Sequence, residues 1–247
     1  MNTRSWIVIV SMALILMAPA DPSADSNAQL QKNQSHVPAP KIDLSDPQHA
    51  LYTLYDRSRI NGPVTSTTLK LDKRITVSIS HLGSIRDGEL KLIDNIPSID
   101  LTSYSLVMIF ESDDVKNDLN VRNSINRISI TNRSRNPPYV YMKRSADEKH
   151  CELAQANYGL KKLLNRPSQR VYPGCSSADL EKYYSGDFET TKDIISCFPP
   201  MIGRRACQHR FDFNNFNVSA SYEYSDLQDW KIIKQEVIDF LVQSTQP

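Results

Sequence analysis

Four cysteines, Cys151, Cys175, Cys197 and Cys207, constrain this chain more than any other feature, provided that they are oxidised. Their compartment is encoded at the other end of the chain. The sequence opens MNTR, continues through an apolar run from Trp6 to Met17, and reaches the small residues Ala18-Pro19-Ala20. That three-part pattern predicts a secretory signal peptide over residues 1–20. The apolar stretch is about fifteen residues, short of the roughly twenty needed to span a bilayer. Export places the cysteines in an oxidising space, where disulfides persist. Three pairings are open, and spacing does not choose among them. The simplest joins Cys151 to Cys175 and Cys197 to Cys207. None of the spacings is C-x-x-C, which argues against a zinc ribbon or a thioredoxin-like redox site.

Residues 21–43 are polar and carry Pro22, Pro38 and Pro40, so they are expected to form a disordered leader. An N-terminal α+β subdomain is expected over 44–145, and a C-terminal α+β subdomain with the disulfides over 146–247. In LKLDKRITVSIS, the residues Ile75, Val77 and Ile79 alternate as on a half-buried strand. The run SLVMIFES predicts another strand, followed by a short helix capped by Asp113 or Asp114 with Val115 and Leu119 on one face. RISITN and YVYMKR are further strand candidates. YGLKKLL is compatible with strand or helix.

Two hairpins are expected later in the chain. One pairs DLEKYYS with ETTKDIIS across Gly186-Asp187, and the other pairs ACQHRFDF with FNVSASYEYS across Asn214-Asn215. Ser225 and Gln228 have the spacing of a capping box. Leu227, Trp230, Ile233, Val237, Phe240 and Leu241 follow at helical spacing, predicting a terminal amphipathic helix. The fold class is therefore α+β, with antiparallel sheets, helices packed on one face, and disulfides.

Signatures of catalysis are absent from the sequence. There is no G-x-S-x-G, H-E-x-x-H, P-loop or G-x-G-x-x-G motif. Cys207 and His209 share a face of their strand, but an oxidised cysteine is no nucleophile. Asp147, Glu148, His150 and Cys151 read as a solvated segment before a disulfide rather than a metal site. Glu111, Asp113 and Asp114 read as a strand end and helix cap. No catalytic residue, metal site or cofactor is expected. Without Arg4 of the signal, 28 basic and 28 acidic residues remain, and no basic block stands out. Nucleic-acid binding by electrostatics has little support, and nothing after the signal is apolar long enough to span a membrane.

The stretch CFPPMIGRRAC is the candidate partner-binding element. Pro199 and Pro200 stiffen it. Phe198, Met201 and Ile202 are candidate apolar anchors, and Arg204 and Arg205 are candidate ligands for carboxylates or phosphates.

The order of features CELAQANYGL, DIISC, ACQHRF, FNVSASYEY and LQDWKIIKQEVIDFL resembles the C-terminal part of the periplasmic immunity proteins that accompany type VI secretion antibacterial effectors. The positions that carry the resemblance are Cys151, Gly159-Leu160, Cys197, Cys207, His209, Leu227 and Trp230. Cys175 stands outside that pattern. The resemblance implies a periplasmic, non-enzymatic α+β protein whose partner is a cognate toxin, a phospholipase or cell-wall hydrolase, blocked at its active site. The alternative reading is a secreted, envelope-associated binding module with no toxin partner.

Overall fold

The computed structural model describes residues 40–57, 64–79, 83–86, 89–92, 105–132, 150–167, 172, 174–188, 191–198, 206–214 and 216–245. The signal, most of the leader, and the segments YVYMKR and 199–205 lie outside these residues.

Three strands, β1 (Lys41–Asp43), β2 (His49–Arg57) and β3 (Val64–Asp72), form a small antiparallel sheet in the order β1-β2-β3. β1 lies inside the segment read as a leader, because Lys41 to Asp43 pair in register with Thr53 to Leu51. A second sheet has eleven described strands. Its first part comprises β4 (Thr76–Ile79), β5 (Gly83–Arg86), β6 (Glu89–Leu92), β7 (Ser105–Ile109) and β8 (Arg127–Asn132). Its second part comprises β9 (Cys151–Gln155), β10 (Lys161–Asn165), β11 (Glu181–Tyr184), β12 (Asp193–Cys197), β13 (Ala206–Phe213) and β14 (Phe216–Glu223). The chain passes from β8 to the far edge at β9, then returns strand by strand until β14 pairs with β8. The expected boundary near residue 145 is therefore crossed by one continuous sheet, and one apolar core draws on both halves.

Alternation in the sequence accounts for most of these strands. Val77 and Ile79 are buried, as are Phe216, Val218, Ala220 and Tyr222 on β14. Both hairpins form as expected, and YGLKKLL becomes strand β10. The tight turn after β13 uses Asn214 at φ 51°, a left-handed conformation that asparagine tolerates.

Two helix caps differ from expectation. The short helix α1 (Asp113–Asp118) is capped by Ser112, whose extended backbone lets its hydroxyl accept the Asp114 N–H at 3.2 Å. Asp113 and Asp114 occupy the first turn, where the helix dipole favours them. The chain leaves α1 through Asn120 at φ 54°. At the other end, Ser225 caps no helix. Tyr224–Asp229 instead forms a 3-10 segment, and α2 (Trp230–Ser244) follows it without a side-chain cap. Tertiary ties replace the capping box: Arg122 donates to Asp229 at 2.8 Å and to Glu236 at 3.2 Å. Helix α2 packs against β3 and β13 and buries Trp230, Ile233, Val237, Phe240 and Leu241 as its spacing predicts.

The disulfides are Cys151–Cys175 and Cys197–Cys207, the simplest of the three pairings. Cys197 and Cys207 face one another across β12 and β13 with Cα atoms 4.0 Å apart. Cys151–Cys175 lies in a small second core with Leu163 and Tyr184. No described helix is long and apolar enough to cross a membrane.

Candidate partner-binding groove

Register brings one row of side chains to the helix-covered face of the large sheet. It runs from Val77 through Met108, Ile128, Ala220, His209 and Ile195 to Tyr183, all buried. The same row continues to Lys162 and Ala154, which are only half-buried. Apolar character thus gives way to polar where this face approaches its β9 edge.

A groove of about 440 Å³ lies there. Ala154, Lys162, Leu164 and Tyr183 contribute from the strands. Tyr224, Ser225, Leu227 and Gln228 contribute from the 3-10 segment, and Asn157 and Tyr158 from the 3-10 turn Asn157–Gly159. Beneath it, the Glu181 carboxylate accepts from Lys162, from the Tyr183 hydroxyl at 2.8 Å and from the Tyr224 hydroxyl at 2.8 Å. Burial works against the Glu181 charge, but these three donors outweigh it and hold the carboxyl below its ordinary value. Burial and the neighbouring carboxylate push Tyr183 upward, so its hydroxyl stays protonated as a donor.

Tyr158 is the unusual residue. Its backbone is left-handed, at φ 64° and ψ 25°, and its side chain is 50% exposed. The following Gly159 also has positive φ, at 72°. A bulky aromatic in this conformation costs about 1–2 kcal/mol. The turn is held by the Trp230 indole N–H, which donates to the Tyr158 carbonyl at 3.0 Å, and by the Ala156 N–H, which donates to Leu160 at 2.9 Å. The half-exposed side chain recovers only part of that cost by packing. Replacing Tyr158 with glycine removes the strain, so Tyr158→Gly is expected to leave the fold as stable or to stabilise it by about 0.5–1 kcal/mol. Urea unfolding checks this.

Behind the groove is a buried polar cluster. His209 is fully buried, and its Nε2–H donates to Asp193 Oδ1 at 3.0 Å. Lys234 of α2 pairs with the same oxygen at 2.7 Å, and the Ser185 hydroxyl donates to Oδ2 at 3.1 Å. His209 packs against Phe211, Tyr222 and Trp230. Burial pushes the imidazole pKa down, and Lys234 adds to this while Asp193 opposes it. Its Nδ1 has no hydrogen-bond partner among the described residues, which is tolerable for a lone pair but costly for the extra N–H of an imidazolium. His209 is therefore neutral when folded and titrates near 6.5 when unfolded. The unfolded chain binds more protons below that value, so the His209 contribution is intact above pH 6.5 and is lost as pH falls beneath it. Stability is expected to fall as pH is lowered from about 7.5 to about 5.5 through this group, and a His209→Gln variant should lose that slope.

Of the residues singled out in CFPPMIGRRAC, Phe198 follows β12, is 36% exposed, and donates its N–H to Ala206 at 3.0 Å. Met201, Ile202, Arg204 and Arg205 lie outside the described residues. Cys207 and His209 do share a face, with Cys207 oxidised. His150 stacks on Tyr172 at 4.8 Å, while Asp147 and Glu148 lie outside the described residues. Asp113 pairs with Lys116 at 3.2 Å, and Glu111 accepts from Thr76 at 3.3 Å. Among the described residues, no group of three or more His, Cys, Asp and Glu side chains is placed to hold a metal ion.

Sequence reasoning did not identify the groove. Its parts come from 154–164, 183 and 224–228, and only strand register brings them together. The local signal was Asn157-Tyr158-Gly159, a turn sequence with an aromatic at its centre.

No family model matches the chain, and no curated protein does. Among solved structures, the chain is similar to Smlt3025, described as an immunity protein of the Stenotrophomonas maltophilia type IV secretion system. The TM-score is 0.42 and the identity 14%, over 78% of this chain and 99% of that one.

Proposed function

We propose that this chain is a periplasmic immunity protein that binds a cognate antibacterial toxin and inhibits it by covering its active site. It performs no catalysis itself. By the resemblance in its sequence, the toxin is an effector of a type VI secretion system, either a phospholipase or a cell-wall hydrolase.

The convergence of the resembling positions carries this reading. Gly159 forms the turn that presents Tyr158, and Trp230 holds that turn by its indole bond. Leu227 lines the groove, and His209 packs against Trp230 with ring centroids 5.6 Å apart. Cys197–Cys207 ties the two strands beside Glu181, which pairs with Cys197 in register. Residues scattered over the last hundred positions therefore support one surface feature. Such rigidity lowers the ordering cost of association, as tight inhibition requires. Phe198 and the segment 199–205, with Met201, Ile202, Arg204 and Arg205, are proposed as a second contact element.

The test is co-expression of the exported chain with the toxin candidate encoded beside it. A one-to-one complex that survives size exclusion, with enzymatic activity lost at stoichiometric ratio, is the expected result. If the neighbouring product is a toxin and neither binds nor is silenced, the immunity reading fails. The alternative, an envelope-associated module, would then take its place.

A further inference from the structure

We propose that the groove between the turn Asn157–Gly159 and the 3-10 segment Tyr224–Asp229 docks an acidic segment of a partner protein. In this assignment Tyr158 is the aromatic anchor, and Lys162 and Lys231 supply the charge. The assignment rests on the binding role proposed above and specifies the partner's chemistry.

Charge complementarity gives the sign. The Glu181 carboxylate lies outside the groove lining, and three internal donors already occupy it. Its side chain is 16% exposed, against 29% for Lys162, so the ammonium is the more accessible member of the pair. An ammonium has three N–H donors, so Lys162 retains donors for an incoming acceptor after serving Glu181. Lys231 adds a second cation at the rim. Its Nζ lies 5.4 Å from the Trp230 ring centroid and 4.0 Å from the Cβ position of Gly159, and no described carboxylate pairs with it. Asp226 and Asp229 of the 3-10 segment lie outside the groove lining, Asp229 paired with Arg122, and the one charged side chain in the lining is the Lys162 ammonium.

Tyr158 supplies the apolar contact. Tyrosine is enriched among the residues that dominate interface energies, because it buries a large rigid surface at little entropic cost. Here the backbone conformation is held by Trp230 before any partner arrives, so strain already present in the free chain presents the ring. Gln155, Asn157 and Gln228 also line the groove and supply amides able to bond a partner backbone.

The experiment titrates the isotope-labelled mature chain with the peptide acetyl-Glu-Leu-Asp-Glu-Leu-Asp-amide, and with acetyl-Lys-Leu-Arg-Lys-Leu-Arg-amide as its counterpart, while amide resonances are followed. The acidic peptide should move the signals of Tyr158, Gly159, Lys162 and Ser225 saturably. Lys231→Glu should weaken it at least about fivefold, and Tyr158→Ala about tenfold or more. Raising the salt from about 0.05 M to about 0.5 M should weaken it too. Equal response to the basic peptide, shifts confined to other surfaces, or indifference to both substitutions would overturn the assignment. The two proposals separate cleanly. A toxin complex insensitive to Tyr158→Ala and Lys231→Glu keeps the immunity reading and removes this site. Saturation by the acidic peptide with no toxin partner does the reverse.

Discussion

Refolding with both disulfides reduced is expected to lower the stability of the chain by about 6 kcal/mol. The sequence separations are 24 and 10 residues, and each closure removes about 3 kcal/mol of chain entropy from the unfolded state. All four half-cystines are at most 2% exposed, so reductant acts only after opening, and the reduced form is best prepared from denaturant. Reduction leaves the sulfur atoms in place and opens no cavity, so the loss reflects the constraint itself. A small domain with 5–15 kcal/mol in hand is brought to the margin by such a change. Urea titrations with and without reductant check this through Trp230 fluorescence. It is the only tryptophan in a chain lacking residues 1–20. Equal midpoints would show that the cross-links contribute nothing.

Asp193→Ala is expected to cost about 3 kcal/mol or more, the range for removing one partner of a buried ion pair. Asp193 is 5% exposed and accepts from His209, Lys234 and Ser185. Its loss takes the acceptor from the partly exposed Lys234 ammonium and from the buried His209 N–H. The cause is uncompensated charge, so adding Lys234→Met should recover a substantial part of the loss. If the double variant is no better than the single one, the ion pair is not the reason. Burial opposes the Asp193 charge, but hydrogen bonds from the neutral His209 and from Lys234, with the Lys234 charge, hold its pKa below the ordinary value. Its stabilisation is present above the unfolded value near 3.9 and is lost as pH falls through the lower folded value. The variant's penalty is therefore fully expressed at pH 7 and shrinks in strong acid. Thermal unfolding at pH 7 and pH 3 separates this from the His209 effect, which appears already below pH 6.5.

Much of the secondary structure was legible because its information is local. Period-two alternation marked β14, turn residues marked the hairpins, and helical spacing marked the buried face of α2. The caps were less legible. Asp113, Asp114 and Ser112 are all good capping residues, and only backbone conformation assigned the role to Ser112. At Ser225 the capping pattern was present, but contacts from Arg122 and the burial of Leu227 favoured a 3-10 path. The division at residue 145 did not anticipate that β14 would pair with β8, a contact that no local composition records.

Residue type and periodicity were enough to place the antiparallel strands, the terminal amphipathic helix and the cysteines of a chain with an export-like start. Each depends on residue type and periodicity within a few turns or strand lengths. Tertiary structure decided which cysteines meet, that both halves share one sheet, and that Tyr158, Lys162, Tyr183 and Tyr224 line one groove. Those outcomes depend on strand register between distant segments. Register is set by the joint burial of a whole face, because a slip of one residue turns every side chain to the opposite side.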